Sequence, residues 1–189
     1  MQEFADGITF TKKDFTRVPL PSGEYDSCIF SSCNFTGSDL SGIRFIDCTF
    51  ESCDLSLVRL TGTILNAVRF RSCKMLGLLF ETCNENGFSP VFENCNLSHS
   101  SFSGTNMKKA VFTNLVLHET DFTGCDLSGA LFENCDFRGA TFSRTNLENS
   151  DFRSSHNYII NPENNRIRKA RFSLTGLPGL LAVYNIEID

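Results

Sequence analysis

The sequence is short of the features on which most functional assignments rest. It has three histidines, five prolines and no tryptophan in 189 residues. No stretch approaches the roughly eighteen apolar residues of a membrane span, so no membrane partner is expected. Lys and Arg total 17 against 22 Asp and Glu, a net charge of −5. The electropositive footprint of a nucleic-acid-binding chain is missing, so no direct nucleic-acid contact is expected. There is no phosphate-cradling glycine loop and no nucleophile elbow. His99, His118 and His156 are scattered along the chain, and none has a nucleophile or metal-ligand pair beside it in sequence. Neither an enzyme nor a bound cofactor is expected. Met1-Gln2-Glu3-Phe4 does not begin as a signal peptide does. Together with an odd cysteine number, nine, this favours reduced thiols in a cytoplasm over a disulfide framework.

What the chain does have is a period. From Phe10 to Phe80 every fifth residue is apolar, and after one slip the pattern runs again from Phe92 to Phe152. Neither a helix nor a flat strand repeats every five residues, so the period means a repeat architecture. Two residues before most of these centres stands a small or thiol side chain, such as Cys28, Cys33, Cys53, Thr63, Thr120 or Ala130. Between the two is often Asp or Asn, as at Asn34, Asp54, Asp121 and Asp126. Two side chains therefore point in and three out before the chain turns a corner. Four such sides close a square coil of twenty residues, and coils stack at about 4.8 Å with their backbones paired.

The twenty-residue coil carries its own check. Phe10, Phe30, Phe50 and Phe70 form one column, continued by Phe92, Phe112, Phe132 and Phe152 if two residues are inserted. The insertion must lie in Asn84-Glu85-Asn86-Gly87-Phe88-Ser89-Pro90, where Asn-Gly and Ser-Pro signal turns. About seven coils give a rod roughly 35 Å long.

The motif is A(D/N)LXX, as in Thr120-Asp121-Phe122-Thr123-Gly124 and Cys125-Asp126-Leu127-Ser128-Gly129. It resembles the pentapeptide-repeat family over about three quarters of the chain. The resemblance implies an all-β fold, a right-handed quadrilateral parallel β-helix, here with a short C-terminal helix and strand. Three regions are expected: residues 1–24 as an N-terminal cap and irregular first coil, 25–155 as the regular β-helix, and 156–189 as a capping or dimerisation tail.

The nine cysteines, Cys83 included, occupy the small inward site. They read as buried packing residues rather than metal ligands, because no second pair stands at zinc-finger spacing. The stretch from Phe112 to Phe137 is the most acidic, with Glu119, Asp121, Asp126, Glu133 and Asp136 and no Lys or Arg. Two readings stay open: a solvated face with corner Asp residues bonding local backbone, or a negative strip for a basic partner. The loop Asn84, Glu85, Asn86, Gly87, Phe88 is either a tolerated insertion or a recognition loop. After Phe152 the repeat is expected to stop. Ser173 or Thr175 could cap a short helix whose Leu177, Leu180, Leu181 and Tyr184 share a face, with Ile186 and Ile188 in a final strand. That tail must plug the open end or meet another chain.

The segments Asn157-Tyr158-Ile159-Ile160-Asn161-Pro162, Ala170-Arg171-Phe172-Ser173-Leu174 and Gly179-Leu180-Leu181 resemble the tail of one subgroup. These are the gyrase-protecting members: Qnr quinolone-resistance proteins and the immunity proteins against microcin and albicidin. The resemblance implies a homodimer through Leu177, Leu180, Leu181, Tyr184, Ile186 and Ile188. It also implies a slim acidic rod of roughly 70 Å that mimics DNA and binds DNA gyrase or topoisomerase IV, protecting it from a toxin or antibiotic. Many Qnr proteins carry two sizeable loops. One small extrusion here is closer to the loop-poor immunity members, or to a protein that binds gyrase without rescuing it. The alternative is a scaffold for an unrelated partner.

Overall fold

A computed structural model describes residues 3–187. The chain winds as a right-handed four-sided β-helix. One side is a four-stranded parallel sheet of β1 (Glu3–Asp6), β3 (Gly23–Asp26), β5 (Arg44–Ile46) and β7 (Ile64–Asn66), in that order. The next side is a seven-stranded parallel sheet of β2 (Thr9–Thr11), β4 (Ile29–Ser31), β6 (Thr49–Glu51), β8 (Arg69–Arg71), β9 (Val91–Glu93), β10 (Val111–Thr113) and β11 (Leu131–Glu133). The other two sides are joined by single parallel bridges, as in Asp14, Asn34, Asp54, Lys74, Asn96, Val116, Asp136 and His156, each pairing with the next.

The all-phenylalanine column exists, and its rings stack. Centroids lie 4.7 Å apart for Phe30 and Phe50 and 4.9 Å apart for Phe112 and Phe132. Across the slip, Phe70 sits on Phe92 at 5.4 Å and pairs with it in register. Parallel backbone pairing forces identical side chains one above the other, and offset aromatic stacking adds to their burial. Large side chains fill the interior, and Tyr25, Phe45, Phe80 and Phe137 are among those less than 2% exposed.

The smaller inward residue does more than fill space. Its hydroxyl or thiol donates to the carbonyl of the centre residue one coil below: Thr63 Oγ1 to Leu40 at 2.8 Å, Thr145 Oγ1 to Phe122 at 2.8 Å and Cys53 Sγ to Phe30 at 3.2 Å. Cys, Ser and Thr can thus tie neighbouring coils together at this site, whereas Ala only fills it. All nine cysteines are free and buried. Burial pushes the Cys48, Cys83 and Cys125 thiols up to about 12, so they stay protonated and unreactive.

The ladder is longer than the periodicity indicates. Residues 3–22 form a coil in register with the next, Ala5 opposite Tyr25 and Phe10 opposite Phe30. Beyond Phe152, where the repeat was expected to stop, Arg166 bridges to Asn146 and Arg171 to Asp151, and Phe172 stacks on Phe152 at 5.4 Å. The five-residue period is lost there because Asn157 and Pro162 stand where centres are due; Tyr158, one residue out of step, and Ile160, in step at the small inward site, supply the buried side chains. The tail then turns back in a short α-helix, α1 (Pro178–Leu181), between turns of 3-10 helix at Leu174–Gly176 and Ala182–Tyr184. Ser173 caps the first of these turns, Leu174–Gly176, its Oγ accepting the Gly176 amide at 3.1 Å. Ile186 and Glu187 are not in a strand, and Ile188 lies outside the described residues. Left-handed Asn185, φ 48°, has already turned the chain out of the helix.

Candidate partner-binding surface

The five carboxylates, open to reading as a solvated face with corner Asp residues or as a negative strip, do not share one face. Asp121 stacks between Ser101 and Thr141, Asp126 between Asn106 and Asn146, Asp136 between Val116 and His156, and Glu133 pairs with Thr113 in the seven-stranded sheet. Residues 119–136 span less than one coil, so the carboxylates form a girdle around the rod at one height. Residues five apart move to the next face; only residues twenty apart are neighbours. The girdle has two kinds of member. Asp121, Asp126 and Asp136 are half-buried, and each accepts the amide two residues on, at 2.8 Å from Thr123, 2.9 Å from Ser128 and 3.2 Å from Arg138. They therefore shape corners as well as carry charge. Glu119 and Glu133 are exposed.

The histidines, scattered in sequence, gather on one face. His118 Nε2 lies 2.8 Å from Asp136 Oδ2, and His156 Nε2 lies 3.9 Å from the same oxygen. One step below, the His99 amide donates to the His118 carbonyl at 2.8 Å, and His99 Nδ1 lies 3.3 Å from Glu119. Divided into coils of twenty, the sequence puts all three on the same side, though not in one column. Partial burial works against ionisation of Asp136. Hydrogen bonds from Asn157 and His118 and the Arg138 amide outweigh it and hold the carboxyl at about 2. The side chain is a fixed anion in a polar network. Among the described residues no group of three or more His, Cys, Asp and Glu is arranged to hold a metal.

The insertion replaces one whole side of a coil. Where the four-stranded sheet would continue above β7, the chain bulges at Glu85, Asn86 and Gly87, all exposed. Asn84 starts the bulge, its Oδ1 accepting the Asn86 amide at 2.9 Å. Ser89 ends it, its amide bonded to Leu65 O at 3.0 Å and its Oγ accepting the Ala67 amide at 2.9 Å. Phe88 turns inward against the core, 6.4 Å from Phe80, and takes the place of the missing centre. A cavity of about 620 Å³ opens between this bulge and the coil above.

The tail both covers the rod and offers apolar surface. Gly176 and Gly179 lie so close over Tyr158 that a Cβ at either would collide with it. The Ile160 amide donates to Gly179 O at 3.0 Å, and Leu180 packs on the core. Leu181 is half-buried, whereas Leu177, Tyr184 and Ile186 are exposed, as is Leu174 at 86%.

Two comparisons with known proteins find relatives. The family profile described as pentapeptide repeat region matches residues 24–87 and 88–157. Solved structures of two trypsin-treated variants of QnrB1, a plasmid-mediated fluoroquinolone resistance protein, superpose on the whole rod. One has a TM-score of 0.55 at 20% identity, covering 100% of both chains. The other has a TM-score of 0.52 at 20% identity, covering 99% of this chain and 100% of that one. No curated protein sequence matches. The family profile covers well over half of the chain, and the coil geometry agrees with it: this protein belongs to the pentapeptide-repeat family.

Proposed function

We propose that this protein is a non-enzymatic, cytoplasmic DNA mimic that binds a type II topoisomerase, DNA gyrase or topoisomerase IV, and protects it from a toxin or antibiotic. The observation that carries the reading is the form of the molecule. It is a slender acidic rod whose fold agrees end to end with that of QnrB1. The girdle of Glu119, Asp121, Asp126, Glu133 and Asp136 supplies charge on every side, as a duplex does, for a groove lined with basic residues. The Asn84–Phe88 bulge is a contact beside it. Tail-to-tail pairing through Leu177, Leu180, Leu181, Tyr184 and Ile186 doubles the rod and covers the apolar end. No described helix is long and apolar enough to cross a membrane.

A supercoiling assay with purified gyrase, with and without a fluoroquinolone, tests the reading. The expected result is restored supercoiling or a direct effect on it at micromolar protein, weakening as salt rises. No effect on inhibition, relaxation or cleavage sinks it. Light scattering tests the tail: a dimer for the natural protein and a monomer for Leu181→Asp are expected, and a monomeric natural protein ends the dimer claim. The spread of the girdle over all faces favours a second reading, a scaffold for an unrelated protein partner. A monomeric natural protein that neither binds gyrase nor changes its activity would support it.

A further inference from the structure

From the cavity beside the bulge we infer that this notch is a docking slot for an extended polypeptide segment carrying a Lys or Arg. The inference deepens the partner-binding reading above and rests on it for biological meaning, though not for its test.

Three features converge there. The first is a vacant rung. The four-stranded sheet ends at β7 because the next coil returns only the Asn84 and Ser89 amides to Thr63 O and Leu65 O and bulges out between them, so the open edge faces the coil above. In the same stack above, the Asp126, Asn146 and Arg166 amides donate to the Thr105, Cys125 and Thr145 carbonyls of the coil below at 2.9, 2.9 and 3.0 Å. The Asn106 amide, next down, has no protein acceptor among the described residues. Thr105 is half-exposed, whereas its stack neighbours Thr63, Cys125 and Thr145 are buried. An unpaired backbone edge is a template for another chain.

The second feature is room. About 620 Å³ lies between the bulge and the Ser103–Lys108 corner above it, enough for a few residues in extended form. Its floor is apolar, made by Phe80, Cys83 and Phe88. The third is charge. Glu81 and Glu85 line the slot, and neither has an ion-pair partner among the described residues. A cationic side chain entering between them would meet two carboxylates and the Phe88 ring. The carbonyl of the same segment would accept the Asn106 amide. Lys108, on the upper lip, disfavours a second cation and fixes the polarity of the segment.

The test uses the full chain, 15N-labelled, titrated with the blocked peptide acetyl-Gly-Val-Arg-Val-Gly-amide, and with the same peptide carrying Glu for Arg. The expected result is saturable shifts of the Asn106, Glu85 and Lys108 amides at millimolar peptide. Replacing Glu81 and Glu85 together by Gln should weaken binding about tenfold, the loss of one charge-assisted contact. Both side chains stand on the surface, so the double variant keeps its fold, checked by unchanged shifts elsewhere. No shifts at millimolar Arg peptide, equal binding of the Glu peptide, or shifts outside the notch would overturn the inference. The topoisomerase reading stands or falls separately on the supercoiling assay. Peptide binding without an effect on gyrase leaves the slot in place for a different partner.

Discussion

The halves of the rod on either side of the notch share one interior and differ in their walls. Inside, phenylalanine stacks on phenylalanine at 4.7 Å below and 4.9 Å above. Outside, the lower half has strands on two sides, the upper half on only one. The cause is the residue just before each centre. In all eleven strands that residue is not Asp or Asn; it is Phe4, Glu24, Arg44 or Ile64 in one sheet, and residues such as Thr9, Ile29, Arg69 and Val111 in the other. Above the notch the four-stranded sheet is replaced by Asn106, Asp126 and Asn146, each accepting the amide two residues on, at 3.2, 2.9 and 3.2 Å. That bond folds the corner into a tight turn and ends the strand. Exceptions stay single bridges where a turn-forming side chain adjoins them in the stack: Lys74 lies between Asp54 and Asn96, Val116 between Asn96 and Asp136, Arg59 next to Asp39 and Leu79 next to Ser101. Inward residues thus set the register, and the one beside them sets the wall.

If the halves share an interior, they should share its energetics. Phe30→Ala and Phe112→Ala remove rings that are fully buried in the same column. Each should cost about 3–5 kcal/mol by denaturant titration. Equal losses sustain the equivalence of the halves. A loss at Phe112 well below that at Phe30 would break it, and would mean that the notch beneath Phe92 lets the upper column collapse into the space. The contacts there are already looser, Phe92 to Phe112 being 6.2 Å.

The interior could be read from the sequence almost completely, because parallel stacking converts a period into a register without any long-range inference. Even the slip was placed, since Phe70 and Phe92 had to meet. The outside was read poorly for the same reason. Adjacency in sequence there means a different face, so Glu119 to Asp136 looked like a strip and proved to be a girdle, while His99, His118 and His156 looked scattered and share a face. Beyond Phe152 a one-residue shift to Tyr158 hid a coil that the backbone bridges reveal. The notch was invisible because it is an absence of a rung, and an absence leaves no residue to recognise.

Acid provides a sharper comparison of the walls. Asp54 below and Asp136 above occupy the same stack. Asp136 is bonded by Asn157, His118 and the Arg138 amide, and its carboxyl sits at about 2 against an ordinary 3.8. Asp54 is also lowered: burial works against ionisation, but Ser56 and Lys74 outweigh it. A carboxyl depressed in the folded state stabilises fully above its unfolded value and loses that stabilisation as pH falls through its folded value. Asp136→Asn should therefore remove about 1–2 kcal/mol of stability at neutral pH, and flatten the decline between about pH 5 and 2. Asp54→Asn should do less. Equal acid profiles for the two variants would show that the histidine face adds nothing to the anchoring of Asp136.

The smallest effect tests the corners themselves. The residue two past the centre is left-handed around most of the rod: Ser32 at φ 54° and Asn114 at 54° on the strand side, Gly37 and Gly77 at 67° on a turn side. Leu57 stands in the stack between those two glycines, at φ 60° and 66% exposed. Its β-carbon crowds the backbone in that conformation, and its side chain reaches toward Gly77 without burying itself. Leu57→Gly removes the strain but frees the unfolded chain, two terms of opposite sign and similar size. Relief of the left-handed strain is the larger here, because no buried contact is lost, so a gain of up to about 1 kcal/mol is expected. The mirror change, Gly37→Ala, should cost about the same although the space is open, since a Cβ there meets nothing within 4 Å. If both substitutions were neutral in thermal melts, the corner would be held by the stack rather than by its own backbone preference, and the Gly, Asn and Ser found there would need another reason.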